Sequence, residues 1–543
     1  MFLFAVFIGI YSYLIFFLGL FGLLTKMNIL FLTVVWWFAL LFTERKSLVS
    51  GFKKIQSINL EFRKWIKSPI TLVVALIVLQ AFVNLLGALG PELAFDALWY
   101  HLTLPKLYLI YHTIFHIPGG LLYYSDMPKL GEMLYVGALA MGNEIFAKVI
   151  HFTFGILVLI ALYKLSRRFF TPLIALLVVS IFYANLVVDW ESITAYIDLI
   201  RAFFEIMALW GFLFWSEKQK MKWLIVSAIM VGLAITTKVL AIESLVIFSF
   251  LIFPFYISHP KSYIYLLIYL IVALAVPLPW FLFSFIHTGN PVYPFFTHTY
   301  EVSVSSPNPL QIIIDLWNLF THSSDPVSPI YLIFLPLLFA TYSRLQKEIK
   351  IVVWYSGLSL LLWYFTPQTG GGRFILPYLP AFSLVCGAIF ASLLKQVGKE
   401  WQYVARLVLF TIILVSCISI GYRVFANMKY IPVIAREESQ HTFLANHLNF
   451  HFGDFYDTDY YFAKHIKPSD TVLLYGFHNL YYVDFPFIDS SWIRKGDRFN
   501  YIAIQNVSLP SRFKNWQLVY INKKTMVQLY KPPKGECPKK CEY

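Results

Sequence analysis

The chain has 543 residues, of which 59% are apolar or aromatic and 13% charged, and its mean hydropathy is +0.67. Soluble domains average about half apolar and about a quarter charged, so this composition excludes a soluble globular chain, a disordered one and, with four cysteines, a disulfide scaffold. The net charge of +14 is carried by loops between apolar runs and accompanies no basic-aromatic module, so no nucleic-acid partner is expected. The chain reads as an α-helical polytopic membrane protein.

A bilayer core takes roughly 20 apolar residues per helix. That window predicts spans over 2–24, 28–43, 70–90, 146–163, 169–188, 196–215, 222–238, 239–257, 262–286, 329–342, 350–366, 374–394 and 403–425, about 13 in all. Alternate loops hold Arg45 to Lys67, Lys164 to Arg168, Lys218 to Lys222, Lys261, Arg344 to Lys350, and Lys395 with Lys399. Roughly 19 basic residues thus gather on one side against about 5 opposite, which puts the N-terminus in the cytoplasm. Met1–Leu24 has no basic leader and no cleavage site, so a retained helix is expected there.

Three regions follow. Residues 1–69 hold two helices and a basic loop, and 70–425 form the main transmembrane region. Residues 426–543 turn polar and read as a small outward α/β domain. Within it Tyr456–Ile466 is expected to be helical, and Thr471–Tyr475, Tyr501–Ile504, Gln517–Ile521 and Met526–Tyr530 to be strands. Cys537 and Cys541 either pair or remain thiols in a frayed tail. In the outward loop 91–145, Leu130–Met141 is too short to cross and is expected to lie along the membrane interface.

Ionisable residues at membrane depth cost several kcal/mol unless paired or hydrated, so each is a functional candidate. Asp198, Arg201 and Glu205 fall at i, i+3 and i+7, on one helical face. An internal ion-pair ladder is an equally good reading of the last two, whereas Asp198 is nearest the outer surface. Asp96, directly after a span and before Trp99-Tyr100-His101, sits in an aromatic setting suited to a general base, or else caps a helix. Lys129, Lys238 and Arg373 are the main cations near that face and suit a phosphate leaving group, or snorkel at helix ends. Gly370-Gly371-Gly372 before Arg373 permits close backbone approach or a tight turn. Metal-ligand spacing is absent, which leaves a divalent cation unindicated.

Several motifs, in order, resemble the GT-C superfamily of membrane glycosyltransferases, in its protein-O-mannosyltransferase and lipid A aminoarabinose transferase branch. They are Phe95-Asp96-Ala97-Leu98-Trp99-Tyr100-His101, Asp126-Met127-Pro128-Lys129-Leu130-Gly131-Glu132, Ala195-Tyr196-Ile197-Asp198, Thr237-Lys238, Gly289-Asn290-Pro291-Val292-Tyr293-Pro294 and Arg373-Phe374-Ile375-Leu376-Pro377-Tyr378-Leu379-Pro380. The resemblance implies sugar transfer from a polyprenyl-phosphate donor to a glycan, lipid or protein hydroxyl, with inversion, at the outer face of a bacterial inner or plasma membrane. It makes Asp96 the base and Lys129, Lys238 and Arg373 the ligands of the donor phosphate. Tyr100, His101, Asp126, Asp198, Asn290 and Tyr293 would bind substrate or acceptor. Membrane lipids and the lipid-linked sugar are the implied partners.

Two other classes compete. A flippase for lipid-linked sugars would show paired, broken inverted repeats, and none is visible. An O-antigen-type polymerase or ligase would need Arg and His in a late outward loop. The 287–328 loop carries His287, His298 and His322 but no Arg or Lys.

Overall fold

The computed structural model describes residues 1–58, 69–258, 263–297, 308–322, 326–366, 368–396, 398–533 and 540–543. Each expected span coincides with a helix or a helix pair. Among the described residues seven helices are long and apolar enough to cross a membrane alone, or eight if one bent pair counts as a span.

The shorter helices have local causes. The expected 169–188 span is divided into Pro172–Tyr183 and Leu186–Glu191. Thr171 caps its start with Pro172 at the first turn. At the break, Asn185 Nδ2 donates to the carbonyls of Ile181 and Phe182 at 3.0 and 2.8 Å, and its Oδ1 accepts from Ser328 N at 2.8 Å. The side chain therefore satisfies helix-end groups that no further turn reaches. The 262–286 span is two helices, Tyr263–Ala275 and Leu278–Thr288, bent by 61° at Pro277, where proline removes a backbone donor.

The helix Asp198–Lys218 is the centre of the bundle, with 83% of its apolar window buried, against 17% for Lys26–Thr43 at the edge. It lies against Met221–Thr237, and a Cβ at Gly211 would come within 3.2 Å of Ser227 backbone. Ser227 Oγ in turn donates to Ala208 O at 2.8 Å. Apolar side chains gain little by leaving lipid for protein, so close approach through small residues and hydroxyls holds such a pair.

Leu130–Met141 has 12 residues, as short as expected, and ten of its side chains or glycines, from Leu130 to Ala140, are buried by protein. Phe2–Leu20 covers it on one side, which gives the first N-terminal helix a structural role.

The tail carries a five-stranded sheet in the order β2 (Phe487–Asp489), β1 (Val472–Tyr475), β4 (Tyr501–Gln505), β6 (Val527–Lys531), β5 (Gln517–Asn522). Strand β1 is parallel to β2 and β4, and β6 is antiparallel to β4 and β5. A short β3 (Arg498–Phe499) pairs with β7 (Cys541–Glu542). The four expected strands are present, whereas the expected Tyr456–Ile466 helix is confined to Tyr461–His465. Asp457 accepts from Ala463 N at 2.8 Å and so takes up a helix-start donor from a turn rather than extending the helix. Cys541 is disulfide-bonded, Cys386 and Cys417 are free, and Cys537 lies outside the described residues.

Candidate active site

Two buried charges hold the loop that follows Pro69–Ala88. Glu92 accepts from the amides of Leu93 and Ala94, both at 2.8 Å, and of Ala195 at 2.6 Å. Lys148 Nζ donates to the carbonyls of Gly87, Gly90 and Pro91 at 3.0, 2.7 and 3.1 Å. The backbone is thereby fixed on both sides before it enters the wide turn Ala97–His101.

Asp96 stands at the start of that turn. Its amide donates to Tyr196 Oη at 3.0 Å, and its Oδ2 accepts from Arg373 Nη1 at 2.8 Å and from Tyr100 Oη at 3.4 Å. Arg373 is aimed by Gly371, whose φ of 50° and ψ of −132° suit only glycine. The guanidinium lies over the Tyr196 ring, 4.9 Å from its centroid, and near Phe374. The Asp96 and Arg373 side chains remain 15% and 14% exposed, because both face a cavity of about 330 Å³.

That cavity gathers six of the expected residues: Asp96, Tyr100, His101, Lys129, Lys238 and Arg373. Lys129 is buried and donates to the carbonyls of Tyr124 and Met127. Burial pushes its ammonium down to about 8, against the opposing pull of Glu132 and Asp126. Lys238 Nζ pairs with Asp198 Oδ1 at 2.6 Å. His101 Nδ1 meets Glu132 Oε1 at 2.8 Å, and both are buried. Tyr100 stacks on Tyr124 with centroids 4.1 Å apart.

Four expected residues stand behind this surface. Asp126 is fully buried, with Ser125 Oγ donating to it at 2.8 Å and His116 Nδ1 at 2.7 Å. It braces the chain just before Met127 and Lys129. Asp198 is fully buried too, so its expected access to the surface is not met, and it reaches the cavity only through Lys238. Asn290 folds its own turn, donating to Phe295 O at 2.7 Å and accepting from Val292 N at 3.0 Å. The Tyr293 amide donates to Asn290 O at 3.3 Å within that turn, which presents Phe295 to the cavity. Arg201 and Glu205 form the internal ladder, 3.4 Å apart, extended by Tyr378, Ser244 and Tyr355.

Sequence reasoning placed Glu132 and Tyr196 inside motifs but gave them no role at the site, and it gave none to the tail. Glu132 is three residues after Lys129 at a helix start, a spacing that puts both on one face and could have marked it. The tail gave no such signal. Its His478 ring lies 4.4 Å from Trp99, the amide of Tyr481 donates to Leu98 O at 3.3 Å, and Tyr482 Oη donates to Glu92 O at 3.0 Å. Lys106 donates to the carbonyls of Tyr481 and Val483 at 2.6 and 2.8 Å. Burial among these groups lowers the proton affinity of His478, so its imidazole favours the neutral form.

Residues 135–282 match a family model described as dolichyl-phosphate-mannose-protein mannosyltransferase. The match includes Asp198 and Lys238 and stops short of Asp96 and Arg373. No curated protein matches the sequence. Among solved structures, ArnT from Cupriavidus metallidurans bound to undecaprenyl phosphate superposes with a TM-score of 0.58 at 12% identity, over 85% of this chain and 98% of that one. Its apo state gives a TM-score of 0.55 at 12% identity, over 85% and 97%. An Archaeoglobus fulgidus oligosaccharyltransferase in complex with zinc and sulfate gives 0.49 at 13% identity, over 79% and 67%. The family model thus matches one stretch of the transmembrane region, and the ArnT superposition shows a shared fold.

Proposed function

We propose that the chain moves a sugar from a polyprenyl-phosphate donor to a hydroxyl of a lipid, glycan or protein acceptor, at the outer face of the membrane. The observation that supports this most is the cavity beside Asp96, which that carboxylate and Glu132 line together with Lys129, Lys238 and Arg373. The ArnT structure of the same fold holds undecaprenyl phosphate, which accords with a lipid-phosphate donor.

Asp96 takes the proton of the acceptor hydroxyl as its oxygen attacks the anomeric carbon. The carbon–phosphate-oxygen bond breaks on the opposite face, so configuration inverts, and the electron pair leaves on the lipid phosphate. Cations preset at the cavity stabilise that charge without moving far, which is the largest contribution a site of this kind offers. Arg373 takes part on both sides: it orients the free carboxylate and is released toward phosphate when the donor enters. Asp198 keeps Lys238 charged and in place, and His101, held by Glu132, presents its other ring nitrogen toward substrate. Among the described residues no group of three or more His, Cys, Asp or Glu side chains is arranged to hold a metal ion, and no step here passes through one.

The test uses membranes carrying the wild type or Asp96→Asn, a labelled mixture of polyprenyl-phosphate sugars, and release of free lipid phosphate as the readout. Turnover that the substitution abolishes, at equal expression, supports donor class and base together. Turnover that survives moves the base elsewhere. Label that crosses the bilayer with no phosphate released makes the chain a transporter.

A further inference from the structure

A second cavity, of about 410 Å³, lies at the opposite end of the bundle. The helix Leu379–Leu394 connects the two: Arg373 and Phe374 precede its start, and Lys395 and Gln396 follow its end. At 1.5 Å per residue that helix separates them by roughly 24 Å. The volume is within the range of about 300–1,000 Å³ usual for ligand sites.

Its lining mixes charge, amides and rings. Arg344, Ser392, Lys395 and Gln396 line it together with Phe169 and Phe170, and no carboxylate does. Neither Arg344 nor Lys395 makes an ion pair among the described residues. Gln396 Nε2 is buried and has no hydrogen-bond partner among them. A buried amide donor left unpaired is costly, so its place beside two cations points to an acceptor that arrives from outside. Two cations and an unpaired amide donor, with no carboxylate and with aromatic rings among the lining residues, are complementary to an anionic head with an apolar body.

We infer that this cavity is a binding site for the phosphate of an anionic phospholipid, distinct from the donor-phosphate site at Asp96. The guanidinium and ammonium take the phosphate oxygens, the Gln396 amide donates a further bond, and the phenyl rings cover the start of the acyl chains. The loops around it are the basic ones, Lys164 to Arg168 and Arg344 to Lys350, and a membrane surface rich in anionic lipid attracts such segments. The lipid binds there irrespective of whether sugar transfer is the activity.

Native mass spectrometry on the full chain in detergent tests it, with phosphatidylglycerol and phosphatidylcholine of identical acyl chains. Phosphatidylglycerol should be retained about ten-fold more tightly. The double variant Arg344→Gln with Lys395→Gln should remove that preference, and Gln396→Leu should weaken it by about three-fold. Lys220→Gln with Lys222→Gln removes equal charge from the same side and should leave the preference intact. Equal loss in both double variants, or no preference in the wild type, overturns the site. Inorganic phosphate that raises the melting temperature as much as the lipid does, and loses that effect in Arg344→Gln with Lys395→Gln, would make free phosphate the ligand and overturn the lipid. Asp96→Asn should bind phosphatidylglycerol as the wild type does, so failure of the sugar-transfer reading leaves this result standing.

Discussion

Arg373 Nη1 lies 2.8 Å from Asp96 Oδ2, across 277 residues of sequence. The contact joins the loop after one span to the segment before another, and it closes the cavity on both sides. An ion pair of this kind does two things: it fixes the carboxylate's direction, and it leaves Asp96 without a counter-charge if the arginine is lost.

Arg373→Ala should therefore lower release of lipid phosphate by about 10²–10³-fold, the usual loss for one preset charge-stabilising donor. Arg373→Lys should retain part of the activity, because it keeps the charge but not the planar fork. Initial rates at saturating donor measure both. Equal activity in wild type and Arg373→Ala would remove the arginine from the chemistry.

Lys129 gives a pH dependence. Burial moves its ammonium from the ordinary 10.5 to about 8, so the folded protein sheds this proton more readily than the unfolded chain. Between those values the unfolded chain binds more protons, and stability rises with pH across that window; below pH 8 the cost of holding the charge is fully present. Turnover should run the other way and fall as pH rises through about 8, when the cation is lost. Lys129→Arg stays charged and should flatten that limb in a profile of kcat/KM. An unchanged limb would exclude Lys129 as its source.

Lys148→Met should be costly although Lys148 is outside the cavity. It leaves the carbonyls of Gly87, Gly90 and Pro91 without their donor, at about 1–3 kcal/mol for each buried group left unpaired. A fall in melting temperature together with loss of turnover is expected, since Asp96 follows Pro91 by five residues. Retained thermal stability would mean that water replaces the ammonium.

Asp198 and Lys238 should show coupling. Breaking a buried pair from one side costs about 3–5 kcal/mol, because the other charge is stranded. Asp198→Asn and Lys238→Met should each destabilise strongly, and the double variant by less than their sum, with a coupling of about 1–3 kcal/mol. Strict additivity in denaturation would show that the two groups do not act as a pair.

How far the sequence was legible follows from how local each signal is. Each span expected from apolar runs and charged loops coincides with a helix or helix pair, because bilayer thickness sets length directly, whereas Thr103–Tyr111 and Pro309–Thr321 lie in loops and were not expected as helices. The runs and loops did not reveal the break at Asn185, which depends on Ser328 and Tyr331 more than a hundred residues away. Length alone excluded Leu130–Met141 as a span and could not tell burial by protein from contact with lipid. In the site, Asp96, Lys129, Lys238 and Arg373 stood out because a charge beside a span is conspicuous. Asp198 stood out equally, yet its role is indirect, since sequence gives depth along a helix and not the direction of its neighbours. The strands of the tail were legible from alternation, whereas its docking through His478 and Tyr482 is visible only in three dimensions.

The tail's contacts with the transmembrane region include Glu92, Leu98, Trp99 and Lys106, the same short stretch that carries Asp96. This makes the tail a brace for the loop that lines the cavity and not a detachable appendage. Any exchange of tails between two such chains is also an exchange of the surface against which the Asp96 loop is seated. Chimeras should thus show altered turnover even where the sequence before residue 426 is unchanged.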